Sequence, residues 1–240
     1  MLALFVAVLT AFFAMPHGLL VAEQTSVIVR EDITLQYLVD DEGEPTDSGD
    51  VKHAYDKAAC SGFVAYTKGT KAIIVTANHC AQSEYEQNFF TGTNYAKLTV
   101  EPKRVQFFDG DIGIVRKVTS GTADDVAILE VQTMRSHPYA FLDTKPLQRG
   151  DDLFAFGTPE DESWTYSLAT PTRGSVEIDD GLALQSHAVL LSCPSCGPGD
   201  SGGPVFNRAG HVVGTVVAGD SRETAIIPSS RLLPYLKALR

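Results

Sequence analysis

At 240 residues, with 44% hydrophobic, 9% aromatic and 20% charged side chains, the chain has room for one large or two small domains, and its composition excludes a collagenous, coiled-coil or wholly disordered polypeptide. Nineteen basic and 30 acidic residues give a formal charge of −11, yet eight of the acids and none of the bases fall within residues 31–50, so the remainder totals only −3. No Lys/Arg run is present, so the electrostatic footprint of a nucleic-acid binder is missing and no nucleic-acid partner is expected.

In chain order, residues 1–22 contain no Asp, Glu, Lys or Arg, and Leu2 to Met15 is an apolar run of the length found in secretory signals. A bilayer span takes about 20 apolar residues, so residues 1–22 are read as a signal peptide, with Ala22 as the small residue at the cut, or as an N-terminal anchor tethering the protein to a membrane. A buried core segment is the third reading. Thr25 to Leu38 alternates loosely, in the manner of an outlying strand or a pro-segment, and Val39 to Asp50 has the Pro, Gly, Ser and acid content of an exposed linker. Residues 23–50 are therefore expected to be an acidic linker or pro-segment, with the folded domain over 51–240.

From Ala58 onward, short β-branched and aromatic runs such as GFVAYT, KAIIVTA, RVQFFD, VAILEV, DLFAFG, HAVLLSC and HVVGTVVAG are separated by Gly, Asp, Asn or Pro. About a dozen such runs with few helical windows predict an all-β protein. A Pro-containing polar gap, Ser136 to Gly150, divides the runs into two groups, so two six-stranded antiparallel β-barrels are expected, over about 51–140 and 146–240. The last segment, Ser229 to Arg240, has a Ser start, Leu at helical spacing and basic residues late, which predicts a short C-terminal helix.

The four cysteines, Cys60, Cys80, Cys193 and Cys196, form an even set, and beside an export-like segment they read as two disulfides, Cys60 with Cys80 and Cys193 with Cys196. A four-thiolate zinc site is the competing reading, because Cys-x-x-Cys is half of one.

Three local motifs carry chemistry: Thr76-Ala77-Asn78-His79-Cys80, Asp125-Val126-Ala127-Ile128-Leu129 and Gly197-Pro198-Gly199-Asp200-Ser201-Gly202-Gly203-Pro204. A serine hydroxyl is a poor nucleophile at neutral pH and needs an adjacent base, and an imidazole base needs a carboxylate to fix its tautomer and stabilise its protonated form. His79, Asp125 and Ser201 supply that set. Glycines around the serine let backbone N–H groups approach a developing oxyanion, with Gly199 and Ser201 as the donors. Asp124 competes with Asp125 for the carboxylate role; the residue immediately before the apolar strand is chosen, and Asp124 is read as a solvated turn residue. The GDSGG stretch also satisfies the nucleophile-elbow pattern of α/β-hydrolases, but those place acid and histidine after the serine, where only 39 residues follow and supply His211 and Asp220 on strand-like sequence rather than alternating strands and helices.

From about Cys60 to Leu239 these motifs, their His, Asp, Ser order, the stretch Gly150 to Pro159 and the closing strands Val213 to Val217 and Thr224 to Pro228 resemble the trypsin/chymotrypsin-type serine proteases. The resemblance is to the bacterial-style branch typified by the HtrA (Deg) protease domain. It implies a chymotrypsin-like double barrel and an exported endopeptidase that hydrolyses peptide bonds through an acyl-enzyme and needs no cofactor or metal. The product would be secreted, periplasmic or held at the cell surface, with protein or peptide substrates. By the same resemblance the pocket for the side chain at the cleaved position is formed by Ser195, Val217, Ala218 and Gly219. A neutral base there favours small or medium apolar side chains over Lys or Arg. No Ile-Val-Gly-Gly-type start precedes Cys60, so Asp200 is expected to take local hydrogen bonds rather than a freed N-terminal amine. A catalytically silent homologue acting as a binding module is the alternative from a different functional class.

Overall fold

A computed structural model describes residues 17–39, 45–46, 50–81, 85–90, 94–121, 124–159, 164–179, 184–219 and 223–237. They form a short helix α1 (His17–Thr25), then strands β1 (Ser26–Val39), β2 (Pro45–Thr46), β3 (Asp50–Lys68), β4 (Lys71–Ala77), β5 (Tyr85–Phe90), β6 (Asn94–Phe107), β7 (Ile112–Gly121) and β8 (Val126–Gln132). The second half contributes β9 (Leu153–Gly157), β10 (Thr165–Asp179), β11 (Leu184–Ser192), β12 (Pro204–Asn207), β13 (Val212–Gly219), β14 (Thr224–Pro228) and a closing helix α2 (Ser229–Lys237).

All strand pairings are antiparallel. The first sheet runs β2-β1-β3-β4-β8-β7-β6-β5, and an added β1–β6 pairing closes six of those strands into a barrel, with β2 and β5 outside the ring. The second barrel closes in the order β10-β11-β14-β13-β12-β9. The expected double barrel with a C-terminal helix is thus the observed architecture. Strands such as β4 (KAIIVTA) and β13 (VVGTVVAG) are buried on both faces, which is why they read as continuous apolar runs rather than alternating ones. One core passes from Phe63, Ile74, Phe107 and Leu129 of the first barrel to Phe206, Ile227 and Leu232 at the seam. A second fills the other barrel around Leu153, Leu191, Val205 and Ile226.

The first barrel begins upstream of residue 51. β1 lies in the stretch expected to be linker or pro-segment, yet it pairs with β3 from Ser26↔Phe63 to Val39↔Asp50 and with β6 from Val27↔Phe107 to Tyr37↔Ala96. Without it the ring stays open. The acids that gave the segment its linker-like composition begin at Glu31, whereas the strand enters the barrel through Ser26 to Val29, all buried. The acidic residues 40–44 and 47–49 lie outside the described residues, as do residues 1–16 of the expected signal or anchor. Residues 17–22 of that segment open α1, where Ala22 is fully buried and a Cβ on Gly18 would lie 3.1 Å from the Arg208 carbonyl oxygen. Among the described residues no helix is long and apolar enough to cross a membrane.

The connection between barrels is irregular, as the Ser136–Gly150 gap implies, but it is tied down. Ala140 N–H donates to the Val64 carbonyl, Asp143 N–H to the Val212 carbonyl and Val212 N–H to the Phe141 carbonyl, each at 2.8 Å. In α2, Ser229 Oγ donates to the Val212 carbonyl at 2.6 Å, fixing the helix start on β13. Pro234 stands inside this helix and removes one N–H from its ladder.

Candidate active site

The strand register explains why His79 and Asp125 meet. β4 and β8 pair so that Ala77 faces Val126, which places the turn after β4 beside the turn before β8. Asn78 N–H donates to the Asp125 carbonyl at 2.9 Å, His79 N–H to Asp125 Oδ1 at 2.9 Å, and His79 Nδ1 lies 2.7 Å from Asp125 Oδ2. Asp125 is fully buried with all of these bonds made, whereas the His79 side chain keeps 17% of its surface exposed. With Nδ1–H donated to the carboxylate, Nε2 carries the lone pair and is free to take a proton. Asp125 holds φ at 48°, a left-handed conformation uncommon for a residue with a Cβ.

Ser201 lies on the loop between β11 and β12, and the first barrel receives this loop on β3. Ser61 N–H donates to the Ser201 carbonyl at 2.9 Å, and that carbonyl lies 3.9 Å from Cys80 Sγ, the residue next to His79. The Cys60–Cys80 disulfide joins β3 just before Ser61 to the turn just after His79, so the elements bearing the histidine and the serine's support are covalently tied. Behind Ser201, Gly202 N–H donates to the Val216 carbonyl and Val216 N–H to the Gly203 carbonyl, while Thr215 Oγ donates to the Gly202 carbonyl. Gly202 has φ of +81°, and a Cβ there would overlap Thr76 Oγ1 and lie 2.7 Å from the Ala77 nitrogen. Only glycine fits both the conformation and the space.

Gly199 sits two residues upstream of Ser201 with φ of +96°. Its carbonyl accepts from the fully buried Ser61 hydroxyl at 2.8 Å, and Ser61 Oγ in turn accepts from Thr158 N–H at 3.1 Å. Asp200 turns inward, and its Oδ2 accepts from Gly197 N–H at 3.0 Å, the local backbone bond expected for it. Burial pushes its pKa up to about 6, opposed by that N–H. Ser61 and Thr158 hold the serine loop but carry no sequence signal, because nothing in CSGFVAYT or FGTP marks them apart from core strands.

Cys193 and Cys196 form the second disulfide, inside the serine loop. Both expected pairs are therefore present. The Cys60, His79 and Cys80 side chains lie close enough for a metal, but the two sulfurs are bonded to each other, and with all four cysteines so joined the zinc reading is overturned. The nucleophile-elbow reading falls with the fold, since every sheet here is antiparallel.

The expected specificity residues are less coherent. Ser195 is exposed on the Cys193–Cys196 turn, Ala218 and Gly219 reach the surface, but Val217 is 1% exposed and belongs to the core at the seam. The bulge between Val216 and Ala218 in the β13–β14 pairing turns Val217 inward. Asp124 is also not the solvated turn residue expected. It is 5% exposed, with Oδ1 accepting from Arg231 Nε at 3.2 Å and Nη2 at 2.6 Å and Oδ2 accepting from the Tyr235 hydroxyl at 2.9 Å. Burial, and next the Asp124 hydrogen bond, raise the Tyr235 pKa to about 12, so the phenol stays a donor. Arg231 and Tyr235 at i, i+4 on the expected helix were the available signal, and they became meaningful only once α2 was seen to lie against Asp124. His137 is buried, stacked on Phe107 with ring centroids 3.7 Å apart and hydrogen-bonded to Asp111 at 2.9 Å.

Comparison with known proteins matches residues 60–214 to the family model described as a trypsin-like peptidase domain. The serine protease Do-like HtrB of Bacillus subtilis (strain 168) is 28% identical over 159 residues, 64% of this chain and 31% of that protein. The serine protease Do-like HtrA of the same strain is 25% identical over 175 residues, 70% of this chain and 35% of that protein. The chain thus spans about a third of the length of these relatives. In fold it is similar to the active form of the Rv3671c protease from M. tuberculosis, with TM-score 0.62 and 17% identity over 92% of this chain and 82% of that one. It is also similar to the HtrA-type protease AlgW with decapeptide, with TM-score 0.63 and 18% identity over 92% of this chain and 66% of that one.

Proposed function

The chain belongs to the trypsin-like peptidase family, and from that premise we propose that it is a serine endopeptidase in which His79, Asp125 and Ser201 form the catalytic triad. The observation that carries the proposal is the His79–Asp125 pair at 2.7 Å, set beside a serine loop whose backbone is held from both barrels. Asp125 fixes the tautomer that leaves His79 Nε2 as the base. Nε2 takes the Ser201 hydroxyl proton as Oγ bonds the substrate carbonyl carbon. The carbonyl electron pair moves onto oxygen, where the N–H groups of Gly199 and Ser201 stabilise it. Collapse of this intermediate breaks the peptide C–N bond, and the imidazolium delivers its proton to the leaving amine. Water then attacks the acyl-enzyme with the same base, releasing the acid and restoring Ser201. Buried Asp125 stabilises the imidazolium in both halves, and the route calls on no cofactor.

A peptide substrate is supported by the solved complex of the HtrA-type neighbour with a decapeptide. For the side chain at the cleaved position, Ser195, Ala218 and Gly219 present no carboxylate, which favours small or medium apolar residues over Lys or Arg. Export, to a secreted, periplasmic or cell-surface location, is supported by the two disulfides and by the apolar run at residues 2–15.

A fluorophosphonate probe tests the enzyme reading. Stoichiometric labelling of the folded protein, abolished by Ser201→Ala, is the expected result. An unlabelled folded protein that hydrolyses no peptide of a mixed library would sink it and leave the silent binding module.

A further inference from the structure

The loop that presents Asp125 leaves β7 at Gly121 and enters β8 at Val126, and the C-terminal helix holds it at both ends. At the β7 end, the Tyr235 ring lies on Gly121, where a Cβ would overlap Cε1 and approach Cζ to 2.8 Å. At the β8 end, Arg231 and Tyr235 make three hydrogen bonds to Asp124, the residue immediately before Asp125: Nε and Nη2 donate to Oδ1, and the phenol donates to Oδ2. Arg231 and Tyr235 sit four residues apart and so share one face of α2. The helix is itself immobilised, by Ser229 on the Val212 carbonyl and by fully buried Leu232.

Two physical needs at Asp125 match this arrangement. A left-handed conformation at a residue with a Cβ is strained and persists where the surroundings over-determine it. The chain also carries two adjacent carboxylates where the chemistry uses one. An unpaired Asp124 charge would compete with Asp125 for the His79 N–H groups. The Arg231 guanidinium takes that charge, and the positive φ of Asp125 directs the neighbouring carboxylates to different partners.

We propose that Asp124, Arg231 and Tyr235 form a clamp through which the C-terminal helix positions Asp125 against His79. They are positioning residues: none touches the reacting atoms, and the inference rests on the serine-protease reading above. Its consequence is that the two barrels are not independent suppliers of the site. β13, which anchors α2 through Val212, also accepts Gly202 N–H behind Ser201, so one strand sets the nucleophile loop and, through the helix, the orienting carboxylate.

The test uses the full chain and four variants: Asp124→Asn, Arg231→Met, Arg231→Lys and Tyr235→Phe. Active sites are titrated with the fluorophosphonate, and kcat and KM per titrated site are measured on peptide p-nitroanilides with Ala or Val at the cleaved position. The low-field proton resonance of the His79–Asp125 hydrogen bond is recorded in parallel. The expected result is a kcat lower by about tenfold in Asp124→Asn and Arg231→Met and by about threefold in Tyr235→Phe, with KM within about twofold. The low-field resonance shifts or broadens, and Arg231→Lys recovers part of the loss because charge returns without the fork. Normal kcat per titrated site and an unmoved resonance in folded variants would overturn the clamp, even where thermal stability drops. If Asp124→Asn does not fold, Tyr235→Phe decides, since it removes one hydroxyl and keeps the ring on Gly121. If the wild type itself is neither labelled nor active, the protease reading fails, while the resonance still reports whether α2 sets the His79–Asp125 geometry.

Discussion

The Ser61 hydroxyl donates to the Gly199 carbonyl at 2.8 Å across 138 residues of sequence, and in doing so it fixes the peptide that leads from one proposed oxyanion donor toward the other. The same oxygen accepts from Thr158 N–H, so one buried side chain of the first barrel satisfies two backbone groups of the second.

Ser61→Ala therefore removes the partner of a carbonyl and of an N–H at a buried side chain. Loss of stability of about 1–3 kcal/mol is expected from the abandoned groups, with a fall in kcat as the Gly199 peptide gains freedom. Urea unfolding and titrated kinetics measure the two effects. An unchanged kcat would show that Ser61 supports packing alone.

Asp200 gives the protein a pH dependence of definite sign. Its folded-state pKa is raised from 3.8 to about 6 by burial, so between those values the folded protein holds a proton the unfolded chain has lost. The contribution is present in full below pH 4 and is lost as pH rises through 6, an order of 3 kcal/mol at about 1.4 kcal/mol per unit. Asp200→Asn should flatten this part of the stability curve, read as Tm at pH 4 to 7. A variant with the same slope as the wild type would exclude Asp200 as its source.

Gly202→Ala and Gly69→Ala should differ sharply, although both glycines have positive φ. At Gly69 a Cβ meets nothing within 4 Å, so the cost is the left-handed conformation alone, about 1 kcal/mol. At Gly202 the Cβ also overlaps Thr76 and crowds the Ala77 nitrogen, and the loop bearing Ser201 must move. Loss of both fluorophosphonate labelling and several degrees of Tm is expected only for Gly202→Ala.

The two disulfides should separate in the same way. Cys60 and Cys80 are 20 residues apart and Cys193 and Cys196 only 3. Replacing the first pair with alanine removes about 3 kcal/mol of unfolded-state restriction, with much less for the second. Thermal unfolding of the two double variants checks the ranking, and equal losses would contradict the chain-entropy account.

Patterns confined to a few neighbouring residues were legible in the amino-acid order. Short apolar runs between turn residues specified an all-β double barrel, because strand burial and turn chemistry are local. TANHC, DVAIL and GDSGG each named a side chain by its immediate neighbours, and the structure brings His79 and Asp125 together through the β4–β8 register.

Features that depend on what a segment packs against were not legible. The acids of residues 31–50 suggested a linker, but membership of β1 in the barrel is decided by its pairing with β3 and β6, and composition averages over that. Asp124 had the character of a turn carboxylate until α2, more than 100 residues later, was found against it. Ser61 is one hydroxyl in an apolar strand until Gly199 arrives from the other barrel, and Val217 is a pocket wall until a bulge turns it into the core. Local sequence fixes backbone habit and the identity of reactive groups. The partners that hold those groups at bonding distance come from distant parts of the chain, and only their tertiary meeting decides which polar side chains are buried, paired and oriented.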